Sequence, residues 1–390
     1  MVEWKELGEV FNLRNGYTPS TKNPEYWNGG IIPWFRMEDI RQNGNILKDS
    51  LLHITDKGLK KSGLFPANSI IVATSATIGE HALLQVEALS NQRFTNLYPK
   101  TYWIDKICMK FAHYYMFIID EWCKTHTNNG GFSSVDMKGF SKILIPIPPL
   151  SEQNRIVGIL DTFTESIENL KNQITERKKQ YEHYRDQLLD IEGKPGVEMK
   201  ALLDILSQPI TDGPHETPKF YDSGIPFISA DAIVNNRINF TRKRGYISEE
   251  YNNLCKKKYS PRLYDVYVVK SGSTTGKVAI VTEMCDFNIW SPLAALRAND
   301  NNNPFYIFYW LQTKKAQNQI LLKCSKGSQP NLSMRVLEKF IIPVPQLSEQ
   351  NRIVSILDTF EASITNLEQQ LSFRQKQYEY YRNMLLTFDE

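Results

Sequence analysis

Apolar and aromatic residues recur at alternating steps of four and three residues along two stretches of about forty residues each. This heptad spacing is typical of a coiled coil, because it keeps one apolar stripe facing a partner helix. Each stretch follows a proline and starts with Ser-Glu-Gln, which predicts helices capped by Ser151 and Ser348. The predicted seam, with an arginine as its one polar position in each stretch, consists of Ile156, Leu160, Phe163, Ile167, Leu170, Ile174 and Arg177, and of Ile353, Leu357, Phe360, Ile364, Leu367, Leu371 and Arg374.

The second stretch repeats the first at an offset of 197 residues, with about 26 of forty aligned positions identical. The larger segments before each stretch also repeat, but only in outline, as in Ile32-Pro33-Trp34-Phe35 and Ile225-Pro226-Phe227-Ile228. Neutral drift after a recent duplication would not spare the helical stretches so selectively, which favours a shared architecture with different local contacts. The predicted domains span residues 1–148 and 191–345. The predicted helical regions span residues 149–190 and 346–390.

The two larger segments mix strand and helix patterns. Apolar runs predict strands at Ser69–Ala73, Asp265–Lys270 and Val278–Val281, and longer patterns predict helices at Trp103–Lys124 and Pro304–Leu322. The predicted fold class is α+β, with two similar α+β domains held apart by two long helices. A short linker follows the first helix, so the helices most simply pair antiparallel as an intramolecular coiled coil, with one domain at each end.

The net charge of the 390 residues is only +3, but its distribution is uneven. Residues 1–150 carry +2 and residues 191–347 carry +6, whereas residues 151–190 and 348–390 carry −2 and −3. Net positive charge is therefore found only in the two predicted domains. This asymmetry suggests a polyanionic partner for the domains and not for the helices.

Composition excludes several classes of protein. No apolar stretch approaches the length of a membrane helix, and the amino terminus carries acidic residues where a signal peptide is apolar. The five cysteines are widely spaced, and the histidines show no metal-ligand spacing. We therefore expect a cytoplasmic protein with no disulfide framework, no metal site and no membrane contact.

Basic and aromatic residues mark candidate DNA-binding positions, since lysine and arginine neutralise phosphates while arginine, serine and threonine also contact base edges. A merely solvated basic surface is an equally good explanation for any single residue. The asymmetry of charge favours binding for the clusters together. The candidates are Arg14, Lys22, Arg36, Lys60, Lys61, Ser75 and Thr77 in the first domain, and Arg242, Lys243, Arg244, Lys256, Lys257, Lys258, Ser273, Thr274 and Lys277 in the second.

Two segments resemble catalytic motifs without matching them. Ser271–Lys277 has three residues between its glycines where a phosphate-binding loop has four, and valine follows the lysine, so a turn between strands is the better interpretation. Asn23-Pro24-Glu25-Tyr26 and Asn303-Pro304-Phe305-Tyr306 differ in their third residue from the Asn-Pro-Pro-Tyr motif of amino-methyltransferases, and favour turns or helix starts. We therefore expect no catalytic site in this chain and no cofactor bound by it.

The order of these features resembles the specificity subunit of type I restriction–modification systems. The matching segments are Gly16–Ser20 and Ile32–Trp34 in the first domain, Asp212–Pro218 and Gly224–Phe227 in the second, and Gly327–Ser333 before the second helical region. The first copy has Gly130–Ser134 where the second has the fuller Gly-Ser-Gln-Pro-Asn. The resemblance spans essentially the whole chain, and the order of the segments, twice over, is its most specific feature.

The resemblance implies a function and a set of partners. In this family each domain reads one half of a bipartite, asymmetric site in double-stranded DNA. The helices dock two copies of a modification subunit, which brings S-adenosylmethionine and methylates an adenine, and restriction subunits join some complexes. The chain itself would then be non-catalytic. An interaction scaffold and a stand-alone DNA-modifying enzyme are the alternatives; the scaffold predicts no steep salt dependence of DNA retention, and the enzyme requires methyltransferase motifs.

Overall fold

The computed structural model describes residues 2–128, 133–325 and 330–388. The chain divides into two compact units, one formed by Met1–Asn169 with Leu371–Glu390 and the other by Leu170–Gln370. Each unit contains one mixed α+β domain and part of each of two long helices. We call the residues before the first long helix the first domain, and those between the two long helices the second domain.

The first domain is built on two sheets whose facing sides share one apolar core. Its strands are β1 (Glu3–Glu6), β2 (Phe11–Asn15), β3 (Ile32–Phe35), β4 (Ile46–Leu47), β5 (His53–Ile54), β6 (Ser69–Ala73), β7 (His81–Leu84), β8 (Leu89–Ser90), β9 (Phe94–Pro99), β10 (Thr127–Asn128), β11 (Ser134–Val135) and β12 (Leu144–Ile147). One sheet has the order β2-β9-β6-β7-β4 and the other β5-β3-β8, while β1 pairs with β12 and β10 with β11. Strand β6 is buried along its whole length, as its sequence Ser-Ile-Ile-Val-Ala requires.

Four helices complete the first domain: α1 (Leu7–Val10), α2 (Met37–Asn43), α3 (Met109–Thr125) and α4 (Met137–Ser141). Helix α3 packs on the outer face of the five-stranded sheet, where Phe111 and Ile119 share a core with Ile70 of β6. The same core continues into the first long helix through Ile156 and Leu160. The domain and the start of the helix that follows it thus share one core.

The second domain repeats this architecture. Its strands are β13 (Glu198–Ala201), β14 (Thr211–Asp212), β15 (Ile225–Ile228), β16 (Ile233–Val234), β17 (Arg237–Ile238), β18 (Gly245–Ile247), β19 (Val266–Val269), β20 (Val278–Ile280), β21 (Asn288–Ile289), β22 (Leu293–Leu296) and β23 (Ile341–Val344). Its helices are α6 (Glu249–Lys256), α7 (Pro304–Leu311), α8 (Lys314–Lys323) and α9 (Met334–Leu337).

Sheet topology matches strand by strand between the two domains. The order β14-β22-β19-β20 corresponds to β2-β9-β6-β7, the order β18-β15-β21 corresponds to β5-β3-β8, and β13–β23 corresponds to β1–β12. The two domains differ in their additions, since β4 joins the larger sheet of the first domain and the β16–β17 hairpin belongs to the second. The α+β class and the internal repeat predicted from the sequence are confirmed.

The long helices are α5 (Leu150–Leu189) and α10 (Leu347–Leu385). The prediction that Ser151 and Ser348 cap them is wrong, because both helices begin one residue earlier and the serines lie in the first turn. The carbonyl of Pro149 already accepts from the N–H groups of Glu152 and Gln153. A serine inside the first turn has a helical backbone, so it does not occupy the capping position.

The two long helices pair antiparallel within each unit. In the unit Leu170–Gln370, the ring of Tyr184 stacks on Phe360 with 5.4 Å between centroids, and Lys178 pairs with Glu368 at 2.7 Å. Partner numbers on α10 therefore fall as numbers on α5 rise. In the other unit, Phe163 stacks on Tyr381 at 5.3 Å, which is the same pair of repeat positions.

The predicted seam residues lie on the less exposed side of these helices. Ile156, Leu160 and Ile174 are buried, as are Ile353, Leu357 and Ile364. The other seam positions are half-buried, namely Phe163, Ile167, Leu170, Arg177, Phe360, Leu367, Leu371 and Arg374. Arg374 places its guanidinium 5.6 Å from the centre of the Phe163 ring, so an aromatic face accommodates the polar seam position.

Several element predictions differ from the structure at their ends. The helix predicted at Pro304–Leu322 is two helices, because Thr313 accepts a side-chain hydrogen bond from the Ala316 N–H at 3.2 Å and starts α8. The helix predicted from Trp103 begins at Met109, after a short 3-10 turn at Thr101–Trp103. Among the described residues, no helix combines the length and apolar character that a membrane crossing requires.

Candidate nucleic-acid interface

Corresponding loops meet at one edge of the sheets in each domain. In the first domain, the loop after β6 bridges from Ser75 to Ser134, and in the second the loop after β19 bridges from Ser271 to Asn331. The segments that follow β2 and β14 also reach this edge. In the first domain Tyr17 N–H donates to Ser90 O, and in the second Ser291 N–H donates to Pro214 O. Loops gathered at the end of a rigid sheet are common positions for binding residues.

Glycine is required where these loops approach the sheet. A Cβ on Gly16 would lie 2.3 Å from the carbonyl oxygens of Ser90 and Asn91, and one on Gly213 would lie 1.9 Å from Ile289 O. The obstacles are backbone atoms, so no side-chain movement relieves them. The repeated glycine therefore fixes the course of both loops.

The first domain carries a neutral polar network at this edge. Asn15, the last residue of β2, accepts from Thr95 Oγ1 at 2.8 Å, and Thr95 Oγ1 lies 2.9 Å from Thr74 Oγ1. Thr74 directly follows β6, and Thr74 and Thr95 are buried. Hydroxyl and amide groups satisfy one another here without any formal charge.

The second domain carries charges at the corresponding positions. Asp212 ends β14 and is 1% exposed, and its Oδ1 accepts from Lys258 Nζ at 2.5 Å. Lys270, which directly follows β19, places Nζ 3.3 Å from Asp212 Oδ2, and His215 Nε2 lies 3.1 Å from that same oxygen. Burial alone would raise the pKa of the Asp212 carboxyl, but the hydrogen bond and charge of Lys258, with the charge of Lys270, bring that pKa below its ordinary value.

Three of the basic candidates in the first domain make contacts inside the domain. Arg14 donates from Nη1 to Ser62 O and places its guanidinium 4.5 Å from the centre of the Phe65 ring. Lys60 covers the ring of Tyr17 at 4.4 Å. Arg36 lies 3.8 Å from a carboxylate oxygen of Glu38. The remaining candidates differ in exposure, since Lys22 and Lys61 are exposed while Ser75 and Thr77 are half-buried.

The arginine-lysine cluster of the second domain lies around β18. Lys243 Nζ is 4.5 Å from the centre of the Tyr246 ring, and Arg242 is exposed. The Arg244 guanidinium lies 5.7 Å from the Trp290 ring centre and 3.8 Å from Asp231. A cationic side chain that packs on an aromatic ring is restricted in its conformation while its charge stays available, which suits a contact with phosphate.

The three consecutive lysines do not form one cluster, although the sequence suggests that they act together. Lys256 pairs with Asp286 at 2.8 Å, and Lys258 pairs with Asp212. Lys257 is exposed and lines a separate cavity with Tyr221. Lys256 ends α6 and the next two lysines follow it, so successive side chains point in different directions.

The loop Ser271–Lys277 is the predicted turn between antiparallel strands β19 and β20. Gly272 and Gly276 have φ values of 98° and 97°, and Thr275 Oγ1 donates to Gly272 O at 2.7 Å. A strand follows the loop where a phosphate-binding loop is followed by a helix, so the nucleotide-binding interpretation is excluded. The candidates Ser273 and Lys277 are exposed on this turn, and Thr274 is half-buried.

Sequence reasoning missed Lys270, His215 and Trp290 as site residues. Lys270 was assigned only as the last residue of a predicted strand. A lysine directly after a fully apolar strand is uncommon, and this could have identified it as a candidate. Part of each repeated loop, at Gly130–Phe132 and at Gly327–Gln329, lies outside the described residues. Within residues 2–128, 133–325 and 330–388, no group of three or more histidine, cysteine, aspartate or glutamate side chains could hold a metal ion.

A family model for the type I restriction modification DNA specificity domain matches residues 1–177 and 202–372. The chain belongs to this family. It is 37% identical over 389 residues to the type I restriction enzyme EcoprrI specificity subunit of Escherichia coli, a match that covers 94% of this chain and 88% of that protein. The resemblance drawn from the sequence is thereby confirmed.

Solved structures of specificity subunits share the fold. The S subunit of M. genitalium aligns over 100% of this chain and 97% of its own with a TM-score of 0.57 and 15% identity. A chain from a structural study of complex assembly and conformational transition of a type I R-M system aligns over 99% and 96%, with a TM-score of 0.64 and 20% identity. Two sheet-based domains and two long helices are thus the architecture of this specificity subunit.

Proposed function

We propose that this specificity subunit reads a bipartite, asymmetric site in double-stranded DNA, with one domain on each half. The observation that carries the proposal is the contrast within the repeat. The edge of the first domain holds the neutral network of Asn15, Thr74 and Thr95, whereas that of the second holds Asp212, Lys258 and Lys270. Equal folds that present different chemistry suit two different half-sites.

We further propose that the long helices dock two copies of one modification subunit. Identical residues that are exposed in both helices support this, because burial in the chain's own core does not explain them. Arg155 pairs with Glu152 one turn earlier, and Arg352 pairs with Glu349 in the same way. The other exposed identical positions include Thr162, Lys179, Gln180 and Glu182, and their repeats Thr359, Lys376, Gln377 and Glu379.

In this proposal the chain supplies recognition, while chemistry belongs to the partners. The modification subunit brings S-adenosylmethionine and methylates an adenine, and a restriction subunit joins where the system cleaves DNA. The absence of a methyltransferase cofactor loop from the sequence supports this division. The complex would act in the cytoplasm, where its DNA is.

Methylome sequencing of cells with and without this chain tests the proposal. We expect one bipartite adenine-methylated motif to appear only when the chain and its modification subunit are both present. Replacing the first domain by that of another family member should change one half of the motif and leave the other half unchanged. Methyl transfer by the purified chain alone, or loss of both half-motifs on the exchange, would contradict the proposal.

A further inference from the structure

The ion cluster of the second domain leaves positive charge uncompensated. Two ammonium groups, of Lys258 and Lys270, face the single carboxylate of Asp212. Lys258 Nζ also lies 3.3 Å from Gly213 O, which anchors it to the loop after β14. The carboxylate therefore both neutralises one charge and holds the two ammonium groups together. The three side chains keep a net charge of about +1 at neutral pH.

Lys270 is unusual because it is only 9% exposed. Lysine is almost never buried without a partner, and the long side chain loses freedom on being fixed. Asp212 compensates the cost of burying Lys270 only in part, since it also forms an ion pair with Lys258. A nearly buried lysine that shares its carboxylate with a second lysine is an arrangement suited to receiving another anion.

The backbone segment Trp290–Pro292 borders this cluster. Its backbone joins the two sides, since Ser291 N–H donates to Pro214 O and Pro292 O accepts from Lys270 N–H. Trp290 Nε1 is buried and has no hydrogen-bond partner within the described parts of the chain. The Arg244 guanidinium lies over the same indole. The segment that borders the cluster therefore carries one donor without a partner among the described residues and lies beside a further cation.

A donor-rich, positively charged site favours a phosphate over a base edge. A phosphodiester presents only acceptor oxygens and a negative charge, whereas base edges present both donors and acceptors. The acceptor of this site, Asp212, already faces both ammonium groups: its Oδ1 accepts from Lys258 Nζ, and its Oδ2 lies 3.3 Å from Lys270 Nζ without a hydrogen bond. We propose that Lys258 and Lys270, held on Asp212, bind a phosphate of the DNA backbone. This inference rests on the proposed function and adds that DNA binding by the second domain depends on Lys258 and on Lys270, which follows β19 where the neutral Thr74 follows β6 in the first domain.

Salt titration of DNA binding by the full chain in complex with its modification subunit tests the inference. Two duplexes serve as probes, one carrying the motif found by methylome sequencing and one unrelated in sequence. Lys258→Met and Lys270→Met should each reduce the slope of log K against log salt by about one on both duplexes. The methylated motif should stay the same. Lys339→Met, which removes an exposed lysine elsewhere in the second domain, should leave the slope unchanged.

The possible results separate the alternatives. An unchanged slope in both lysine variants would overturn the inference. A changed methylated motif, or a loss of affinity confined to the duplex that carries the motif, would also overturn it, because either result would indicate contact with bases. Lys258→Met keeps the test decisive if Lys270→Met fails to fold, because Lys258 is exposed. If the wild-type complex shows no salt-dependent DNA binding, it is the proposed function itself that fails.

Discussion

The side-chain oxygen of Gln153 accepts a hydrogen bond from the backbone N–H of Cys108 at 2.7 Å. Cys108 directly precedes α3, so a residue of the long helix caps a helix of the domain. The amide of Gln153 also donates to Lys106 O at 2.9 Å and Pro148 O at 2.8 Å. The repeated Ser-Glu-Gln sequence therefore encodes a joint between helix and domain through its glutamine.

The same joint recurs in the second unit. Gln350 accepts from the N–H of Asn303, which precedes α7, at 2.9 Å, and its amide donates to Pro345 O at 3.0 Å. Asp161 and Asp358 add a second repeated contact, because they accept from the hydroxyls of Tyr114 at 2.7 Å and Tyr309 at 2.6 Å. Part of the near-identity of the two helical regions is thus explained by docking each to its own domain.

Replacing Gln153 by Ala should lower the free energy of unfolding by about 2–3 kcal/mol, because a partly buried N–H and two carbonyls lose their partner. Urea unfolding of the full chain measures this loss. Gln173→Ala, which changes an exposed glutamine of the same helix, should alter stability by less than about 0.5 kcal/mol. Equal stability of the two variants would show that the glutamine joint is not a stabilising contact.

Gly213→Ala should destabilise the second domain by at least about 2 kcal/mol and abolish methylation at the motif, because its Cβ would overlap Ile289 O. Thermal unfolding and methylome sequencing give the two readouts. Gly158→Ala is the matched control: it lies inside α5 with open space around a new Cβ and should raise stability by about 0.5–1 kcal/mol. A Gly213→Ala protein with wild-type stability would refute the requirement for glycine.

The fold was largely predictable because its signals are periodic and local. Heptad spacing identified both long helices, and the apolar run Ser69–Ala73 matches β6 residue for residue. The duplication then implied that the two domains share one topology. Element ends were less predictable, since the start of α5 depends on the Pro149 carbonyl and the break before α8 depends on Thr313.

The candidate interface was less predictable because it depends on contacts far apart in the sequence. Asp212 and Lys258 are 46 residues apart, yet they form the shortest ion pair of the cluster. Neighbours in the sequence can also be separated in the fold, because Lys256 pairs with Asp286 whereas Lys258 pairs with Asp212. Charge composition identified the domains that carry positive charge, but folding decides which of those charges remain free for a ligand.

The helix pair of the second unit contains a glutamate whose ionised form is disfavoured by burial. Glu361 is half-buried on α10 and accepts a hydrogen bond from Tyr181 at 3.1 Å. Burial raises the pKa of the Glu361 carboxyl above its ordinary value of 4.5, although the Tyr181 hydrogen bond and the charge of Arg237 act against this. The ionised form is therefore less favourable in the folded chain than in the unfolded chain.

Glu361→Gln should consequently raise the melting temperature at pH 7, since the amide keeps an acceptor for Tyr181 and carries no charge. A carboxyl whose pKa is raised by folding costs stability above its folded pKa, and this cost disappears below its unfolded pKa. The advantage of the variant should therefore shrink as pH falls from 7 towards 4.5. Glu368→Gln, which instead removes the exposed partner of Lys178, should show no such gain. An advantage of Glu361→Gln that is independent of pH, or a loss of stability at pH 7, would show that Glu361 is better accommodated as a carboxylate.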